Sequence, residues 1–165
     1  MKTQILDHQQ VQKILRRMAY QIYEKNFDKK ELVFAAIKGQ GIEVAKLVQQ
    51  ELQDISKIKV SFLEIDISKD KPSFNSAVVN FNQVSVQGKS IIIFDDVLNT
   101  GRTLVYGMHP FLHLEPHSIQ IAVLVDRNHK TFPVAADFIG LSLQTTLQEH
   151  VSVTMKLKKI SVYLL

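Results

Sequence analysis

The chain has 165 residues, of which 45% are hydrophobic and 22% charged, the balance of one globular domain with a proper core. It has no apolar run of about 18 residues, which excludes a membrane-spanning helix, and no cysteine, which excludes disulfides, thiolate catalysis and cysteine-based zinc sites. Its formal charge of +4 suits an anionic ligand, although a plain solvated surface explains that charge equally well.

The predicted elements alternate between helices and buried strands. The first half is predicted to form a helix over 7–26 with Asp7 as N-cap, a strand over 31–37, a helix over 42–52, a strand over 58–67, a polar loop over 68–76 and a strand or hairpin arm over 78–86. The second half is predicted to form a strand over 90–94, a helix over 103–114 weakened by Gly107 and Pro110, and strands over 118–125, 136–143, 150–155 and 159–165. This alternation is typical of an α/β fold with a parallel sheet.

Three polar turns directly follow predicted buried strands, at residues 38–41, 95–103 and 126–130. Ligands of parallel sheets bind beyond the carboxyl ends of the strands, near a switch in strand order. We therefore expect the three turns to lie together on one rim, and their convergence is stronger support for a site than any single turn.

Asp95 and Asp96 come at once after the apolar run 90–94. Two neighbouring like charges need solvent or a ligand, and carboxylates directed into a rim cleft can accept hydrogen bonds from the vicinal hydroxyls of a ribose. The alternative is a helix start, where acids favour the dipole. That alternative explains Asp96 poorly, because the predicted helix begins several residues later.

The turn Thr100, Gly101, Arg102 and Thr103 opens the next helix. Free backbone N–H groups and the positive end of the helix dipole suit a phosphate, and the threonine hydroxyls add donors. Arg102 is interpreted either as an added positive charge or as a solvated side chain. The piece taken alone is equally consistent with a plain capped turn, and it lacks the Gly-Lys-Ser/Thr element of a Walker motif.

A second glycine-containing turn, Lys38, Gly39, Gln40 and Gly41, also lies between a strand and a helix. Its backbone amides suit a diphosphate. A helix-start turn with two convenient glycines explains the same four residues equally well when they are taken alone.

The stretch "IIIFDDVLNTGRT" resembles the phosphoribosyl-pyrophosphate motif of type I phosphoribosyltransferases. The stretches "AAIKGQGIEVAK", "EIDIS", "SIQIAVLVDRNHKTFPVAADFIG" and "TTLQEHVSV" extend this resemblance, in order, to the bifunctional pyrimidine operon attenuator and uracil phosphoribosyltransferase branch. The resemblance implies a single domain over 1–165 with the type I fold, a mostly parallel central sheet flanked by helices. A small hood would be formed by about 138–155 and the N-terminal helix region.

The resemblance implies that Asp95 and Asp96 bind the ribose 2- and 3-hydroxyls as the catalytic pair. The 5-phosphate would be wrapped by Asn99, Thr100, Gly101, Arg102 and Thr103. Pyrophosphate would be held by Lys38, Gly39, Gln40 and Gly41, with a cis peptide between Ile37 and Lys38. Mg²⁺ would be held mainly through substrate oxygens, with no direct protein ligand.

On the base side, the resemblance implies that Phe138 stacks on the nucleobase and that Ile139 offers it backbone hydrogen bonds. Asp126 and Arg127 would lie near the base and the pyrophosphate, and residues 68–76 would form a mobile lid. The implied reaction transfers ribose-5-phosphate from phosphoribosyl pyrophosphate to a nucleobase, uracil first, through an oxocarbenium-like sugar that the aspartates favour.

Several positions depart from the branch. Gln40 stands where the branch usually has Arg, Asn99 where it usually has Tyr, and the loop after "EIDI" is shorter. Gln144 and Leu147 replace a Pro and a Lys. Two alternatives to the enzyme therefore stay open: a pyrimidine-nucleotide-sensing RNA-binding regulator, and a nucleotide-binding homologue with little turnover.

Two basic stretches bear on the RNA alternative, Lys13, Arg16 and Arg17 on the first helix and Lys156, Lys158 and Lys159 late in the chain. We interpret them first as solvated faces, since such charge runs are common and no aromatic stacking motif accompanies them. We further expect a cytoplasmic protein without a signal peptide, no membrane partner, and a homodimer or higher homo-oligomer by family resemblance.

Overall fold

The computed structural model describes residues 2–73, 76–81 and 84–165. Its helices are α1 (His8–Asn26), α2 (Gln40–Ile55) and α3 (Arg102–Leu112). Its strands are β1 (Thr3–Leu6), β2 (Glu31–Ile37), β3 (Lys59–Asp66), β4 (Val78–Val79), β5 (Ser90–Leu98), β6 (Ser118–Asp126), β7 (Phe138–Ser142), β8 (Val151–Lys156) and β9 (Lys159–Leu164). Among the described residues, no helix is long and apolar enough to cross a membrane.

The central sheet has six strands in the order β4-β3-β2-β5-β6-β7. All neighbouring strands are parallel except β4, which runs antiparallel to β3. The chain order switches between β2 and β5, so the carboxyl ends of these two strands flank the crevice where ligands of such sheets bind. The predicted α/β fold with a mostly parallel sheet is confirmed.

A second sheet is small and antiparallel, in the order β1-β9-β8. Only the end of the predicted hood segment 138–155 lies in it, because β7 pairs parallel with β6 and belongs to the central sheet. The sequence did not predict β1, because this strand has four residues of which only Leu6 is buried. A pattern this short carries no clear alternation.

The central strands are apolar along most of their length because helices cover both faces of the sheet. One face buries Leu32, Phe34 and Phe94 under α1 and α2. The rings of Phe34 and Phe94 are 4.6 Å apart between centroids. The opposite face buries Val33 and Ile93 on the side of α3. Alternate residues of one strand therefore serve two separate cores.

The helix boundaries follow local signals. The Asp7 carboxylate accepts a hydrogen bond of 2.8 Å from the Gln10 N–H, and the Gln10 side chain accepts one from the Asp7 N–H. The predicted N-cap is thus confirmed as a capping box. The prediction of a strand or hairpin arm over 78–86 is confirmed as strand only for Val78–Val79, since residues 80–81 and 84–86 are not strand, and Asn82 and Gln83 lie outside the described residues.

Candidate active site

A cavity of about 520 Å³ opens at the carboxyl edge of the central sheet. Its lining residues come from the end of β5 and the turn after it, the loop after β3, the residue after β6 and the start of β8. The lining includes Asp95, Asp96, Asn99, Thr100, Gly101, Arg102, Thr103, Arg127, Lys69, Asp70, Pro72, His150 and Val151. The structure thus brings the acid pair and the whole predicted phosphate turn to one hollow.

The acid pair lies within β5 rather than after it. The strand continues to Leu98, and Asp95 lies opposite Val123 of β6. The prediction that the strand ends at residue 94 was wrong, because parallel pairing with β6 carries the extended backbone past the apolar run. The Asp95 side chain is 4% exposed and that of Asp96 is 15% exposed. A strand residue is positioned more rigidly than a turn residue, which suits a pair that must face one ligand.

Lys69 is the site residue that the sequence did not reveal. Its Nζ lies 2.8 Å from Oδ1 of Asp95 and 2.9 Å from Oδ1 of Asp96, so one ammonium bridges the pair. Lys69 belongs to the polar loop predicted over 68–76, of which Phe74 and Asn75 lie outside the described residues. Nothing local distinguishes Lys69 from Lys71 in that loop, so only the fold shows which lysine reaches the carboxylates.

The three charges shift one another's protonation. Burial and the neighbouring Asp96 raise the pKa of Asp95 to about 7, against the ammonium of Lys69, which lowers it. Burial opposes ionisation of Asp96 too, but its hydrogen bonds with Asp95 and Lys69 hold its pKa below the ordinary value. Burial of Lys69 is outweighed by the two carboxylates, which raise its pKa. The three groups therefore titrate together, and the loss of one charge changes the pKa of the other two.

The substitution Lys69→Met is expected to move the titration of Asp95 to higher pH. The ammonium is the group that lowers the pKa of Asp95, so its removal leaves burial and Asp96 unopposed. The measurement is the ¹³C shift of the Asp95 carboxyl against pH, with Lys71→Met as control because Lys71 is exposed in the same loop. A midpoint that stays near the wild-type value in Lys69→Met would contradict the bridge.

The phosphate turn is built around Gly101, the N-cap of α3, whose φ is +85°. A Cβ at this position would lie 2.3 Å from Cγ1 of Val134. The carbonyl of Thr100 accepts hydrogen bonds from the N–H groups of Thr131 (2.9 Å) and Phe132 (3.1 Å). The turn therefore packs tightly against residues 131–134, and its position does not depend on a ligand.

The second turn begins α2 at Gln40, after Gly39 with φ +108°. The peptide between Ile37 and Lys38 is trans, which corrects the implied cis bond. The reason is that Lys38 N–H donates to the carbonyl of Ile65 at 2.9 Å and continues the β2–β3 pairing, so the reversal falls at Gly39. A Cβ on Gly41 would lie 3.2 Å from the Asp95 Cα, so this end of the turn adjoins the acid pair.

Lys38 itself turns away from the cavity lining. Its Nζ lies 2.8 Å from Oδ2 of Asp66, and both side chains are more than half exposed. That contact raises the pKa of Lys38 through a hydrogen bond and the charge of Asp66. Of the four residues of the turn, Gly41 is therefore the one that the structure brings against the acid pair.

Arg127 lines the cavity and links the phosphate turn to the segment 145–149. Its side chain donates to Oδ1 of Asn99 (3.2 Å), to Oγ1 of Thr145 (2.9 Å) and to the carbonyls of Thr146 (3.1 Å) and Glu149. The residue is only 3% exposed. A buried guanidinium with its donors shared in this way fixes the segment 145–149 relative to the phosphate turn.

Comparison with known proteins agrees with this geometry, since the model of the phosphoribosyl transferase domain family matches residues 1–158. The chain belongs to the phosphoribosyltransferase family. Bifunctional protein PyrR of Oceanobacillus iheyensis is 35% identical over 166 residues, which cover 93% of this chain and 91% of that protein. Bifunctional protein PyrR of Clostridium acetobutylicum is 35% identical over 163 residues, covering 94% and 92%.

Two solved structures share the phosphoribosyltransferase fold. The hypoxanthine phosphoribosyltransferase of Trypanosoma cruzi has a TM-score of 0.79 at 17% identity, covering 97% of this chain and 95% of that chain. A hypoxanthine-guanine phosphoribosyltransferase of Bacillus anthracis has a TM-score of 0.75 at 18% identity, covering 96% of each. The predicted type I phosphoribosyltransferase fold is confirmed.

Of the four residues predicted to lie near the nucleobase, Arg127 lines the cavity, whereas Phe138, Ile139 and Asp126 are not in its lining. Phe138 is 3% exposed, packs in the core beneath α1, and has Nζ of Lys25 5.6 Å from its ring centroid. The carbonyl of Ile139 accepts a hydrogen bond of 3.1 Å from Arg17. The reason is the register, since Phe138 lies opposite Ala122, four positions before the end of β6.

Asp126, at the end of β6, is 1% exposed and is held by its own turn. Its carboxylate accepts hydrogen bonds from the Asn128 N–H (2.8 Å) and from Nζ of Lys130 (3.2 Å). Asp126 is not among the residues lining the cavity. It stabilises the turn after β6 and precedes Arg127 in the chain.

Proposed function

We propose that this protein transfers ribose-5-phosphate from phosphoribosyl pyrophosphate to a nucleobase and releases pyrophosphate. The observation that carries the proposal is the acid pair Asp95–Asp96 sharing one hollow with the Gly101 turn. The carboxylates suit the two ribose hydroxyls, and the amides at the start of α3 suit the 5-phosphate. The family membership supports the same assignment.

The reaction breaks the bond between the anomeric carbon and the pyrophosphate oxygen and forms a bond from that carbon to a nitrogen of the base, which loses a proton. Positive charge develops on the sugar ring as pyrophosphate leaves. The carboxylates of Asp95 and Asp96 are positioned beforehand by β5 and favour that charge. The backbone turn ending at Gly41 adjoins Asp95 and suits the departing pyrophosphate.

The residues present fit a Mg²⁺ ion that arrives with the substrate. Among the described residues, no group of three or more His, Asp or Glu side chains is placed to hold a metal. One position in the cavity lies within reach of both carboxylates of the acid pair. Mg²⁺ binds one or two carboxylates together with phosphate oxygens and water. Substrate oxygens would supply most of its ligands and Asp95 and Asp96 the rest, which departs from the expectation of no direct protein ligand, and the ion would neutralise the pyrophosphate charge.

We propose uracil as the base because the sequence resembles the pyrimidine branch along nearly its whole length, and the bifunctional PyrR relatives cover more than nine-tenths of the chain. We place the base on the side of the cavity that Arg127 lines, next to the segment 145–149 to which its side chain donates. Phe138 and Ile139 remain candidates for base contacts through the family resemblance.

The test is a turnover assay with phosphoribosyl pyrophosphate, Mg²⁺ and one of four bases: uracil, hypoxanthine, guanine or orotate. We expect pyrophosphate release with uracil and slower release with the others. Release with none of the four overturns the enzyme proposal. If phosphoribosyl pyrophosphate then still raises the melting temperature, the protein is a nucleotide-binding homologue.

A second candidate function is RNA binding by a nucleotide-sensing regulator. It is favoured by the exposed lysines Lys156, Lys158 and Lys159 at the β8–β9 turn, which make no ion pair within the described part of the chain. By contrast, Arg17 donates to the carbonyls of Ile139 and Gly140 and serves the fold. RNA affinity that falls steeply with added salt supports this function, and a flat salt response contradicts it.

A further inference from the structure

The ammonium of Lys69 sits at the one point that both carboxylates of the acid pair share. Its distances of 2.8 Å to Asp95 and 2.9 Å to Asp96 are those of charge-assisted hydrogen bonds. The same Oδ1 of Asp95 also accepts the N–H of Asp96 at 2.9 Å. One oxygen of each carboxylate, Oδ1, is therefore already engaged by the chain itself.

The loop that carries Lys69 is fastened at a second place. Nη2 of Arg102 donates to the carbonyl of Pro72 at 3.4 Å, and Arg102 is the first residue of α3. Residues 69–72 thus touch the acid pair at one end and the phosphate turn at the other. Asp70 and Pro72 line the same cavity. The loop therefore lies across the place where the sugar phosphate would bind.

We propose that the ammonium of Lys69 occupies the cation position between Asp95 and Asp96. It thereby prevents free divalent metal ions from binding there until the sugar displaces it. The exclusion of metal rests on the geometry of the ligand-free chain, and the displacement by a sugar rests on the proposed function. Lys69 is a positioning residue, since it acts through Asp95 and Asp96 by controlling whether a metal ion or a sugar can contact them.

Two physical reasons support the exclusion. A Mg²⁺ ion needs oxygens at about 2.0–2.1 Å, so it cannot share the contact point with an ammonium at hydrogen-bond distance. The two cations also repel each other across a largely buried pair, where solvent screens them weakly. A phosphorylated sugar that binds with its metal ion brings its own hydroxyl groups and phosphate charge. Their contacts offset the loss of the contacts between the Lys69 ammonium and the acid pair.

The test is Mn²⁺ binding to the ligand-free protein, followed by electron paramagnetic resonance. We expect Lys69→Met to bind one Mn²⁺ ion about tenfold or more tightly than the wild type, a difference of about 1.4 kcal/mol. Lys69→Arg keeps the positive charge and is expected to match the wild type. Lys71→Met is the matched control in the same loop and is also expected to match it.

The site of the gained ion is checked by adding Asp96→Asn to Lys69→Met, which is expected to remove the gain. Lys69→Gln serves as a second neutral variant if Lys69→Met does not fold. Equal Mn²⁺ affinity of the wild type and both neutral variants overturns the proposal. Because no sugar or base is present, the result is independent of the turnover assay, so the exclusion of metal can stand or fail whatever that assay shows.

Discussion

The substitution Asp96→Asn is expected to lower turnover about 100- to 1,000-fold, the range seen when one preorganised electrostatic group is removed from an active site. Asparagine keeps the size of the side chain but loses the negative charge that faces the developing cation. The Lys69 bridge to Asp95 survives the change. The melting temperature is therefore expected to fall by only a few degrees. The measurements are steady-state kinetics and thermal unfolding of the same preparation.

The matched control is Asp54→Asn, the same chemical change at an exposed position near the end of α2. It is expected to leave turnover unchanged. Unchanged turnover in Asp96→Asn together with a clear loss of stability would show that the acid pair is structural, and it would remove the main support for the proposed reaction.

Gly101→Ala is expected to cost about 2–5 kcal/mol of unfolding free energy and to abolish measurable binding of ribose-5-phosphate. Alanine at a φ of +85° costs about 1–2 kcal/mol in backbone strain. The collision of its Cβ with Val134, at 2.3 Å, adds about 1–3 kcal/mol of overpacking. The turn must move away from residues 131–134 to relieve this collision. Its backbone N–H groups then no longer point at the phosphate. Denaturant unfolding and calorimetry measure the two effects.

Gly88→Ala separates the two causes. Gly88 also has a positive φ, +68°, but a Cβ there would meet no atom within 4 Å. We expect it to cost only the backbone part, about 1–2 kcal/mol, and to leave ribose-5-phosphate binding intact. Equal costs for the two variants would mean that Val134 yields freely and that the turn is not held by this contact.

The sequence predicted the elements whose signal is local. The apolar run Glu31–Ile37 was confirmed residue for residue as β2, and Asp7 was confirmed as the N-cap of α1. The end of β5 was predicted four residues too early, because polar residues were taken to end the strand. Pairing with β6 across the sheet overrides that local preference. No property of residues 95–98 alone carries this information.

The residues of the site likewise differ in whether local sequence was enough to predict them. Asp95, Asp96 and the Gly101 turn were predicted to share a rim because they are close in sequence and follow a buried strand. Lys69 reaches the pair from a loop 26 residues away in sequence, and the contact depends on how β3 lies beside β2. Phe138 was predicted by family resemblance to stack on the base, and its register against Ala122 places its ring against the core beneath α1.

One guanidinium bonds Asn99 and Thr145 at once, and this has an evolutionary consequence. A new side chain at either position leaves a buried donor without its acceptor unless the other position changes to supply one. Positions 99 and 145 are therefore expected to vary in concert among descendants of this gene. The segment 145–149 and the phosphate turn would then evolve as one unit.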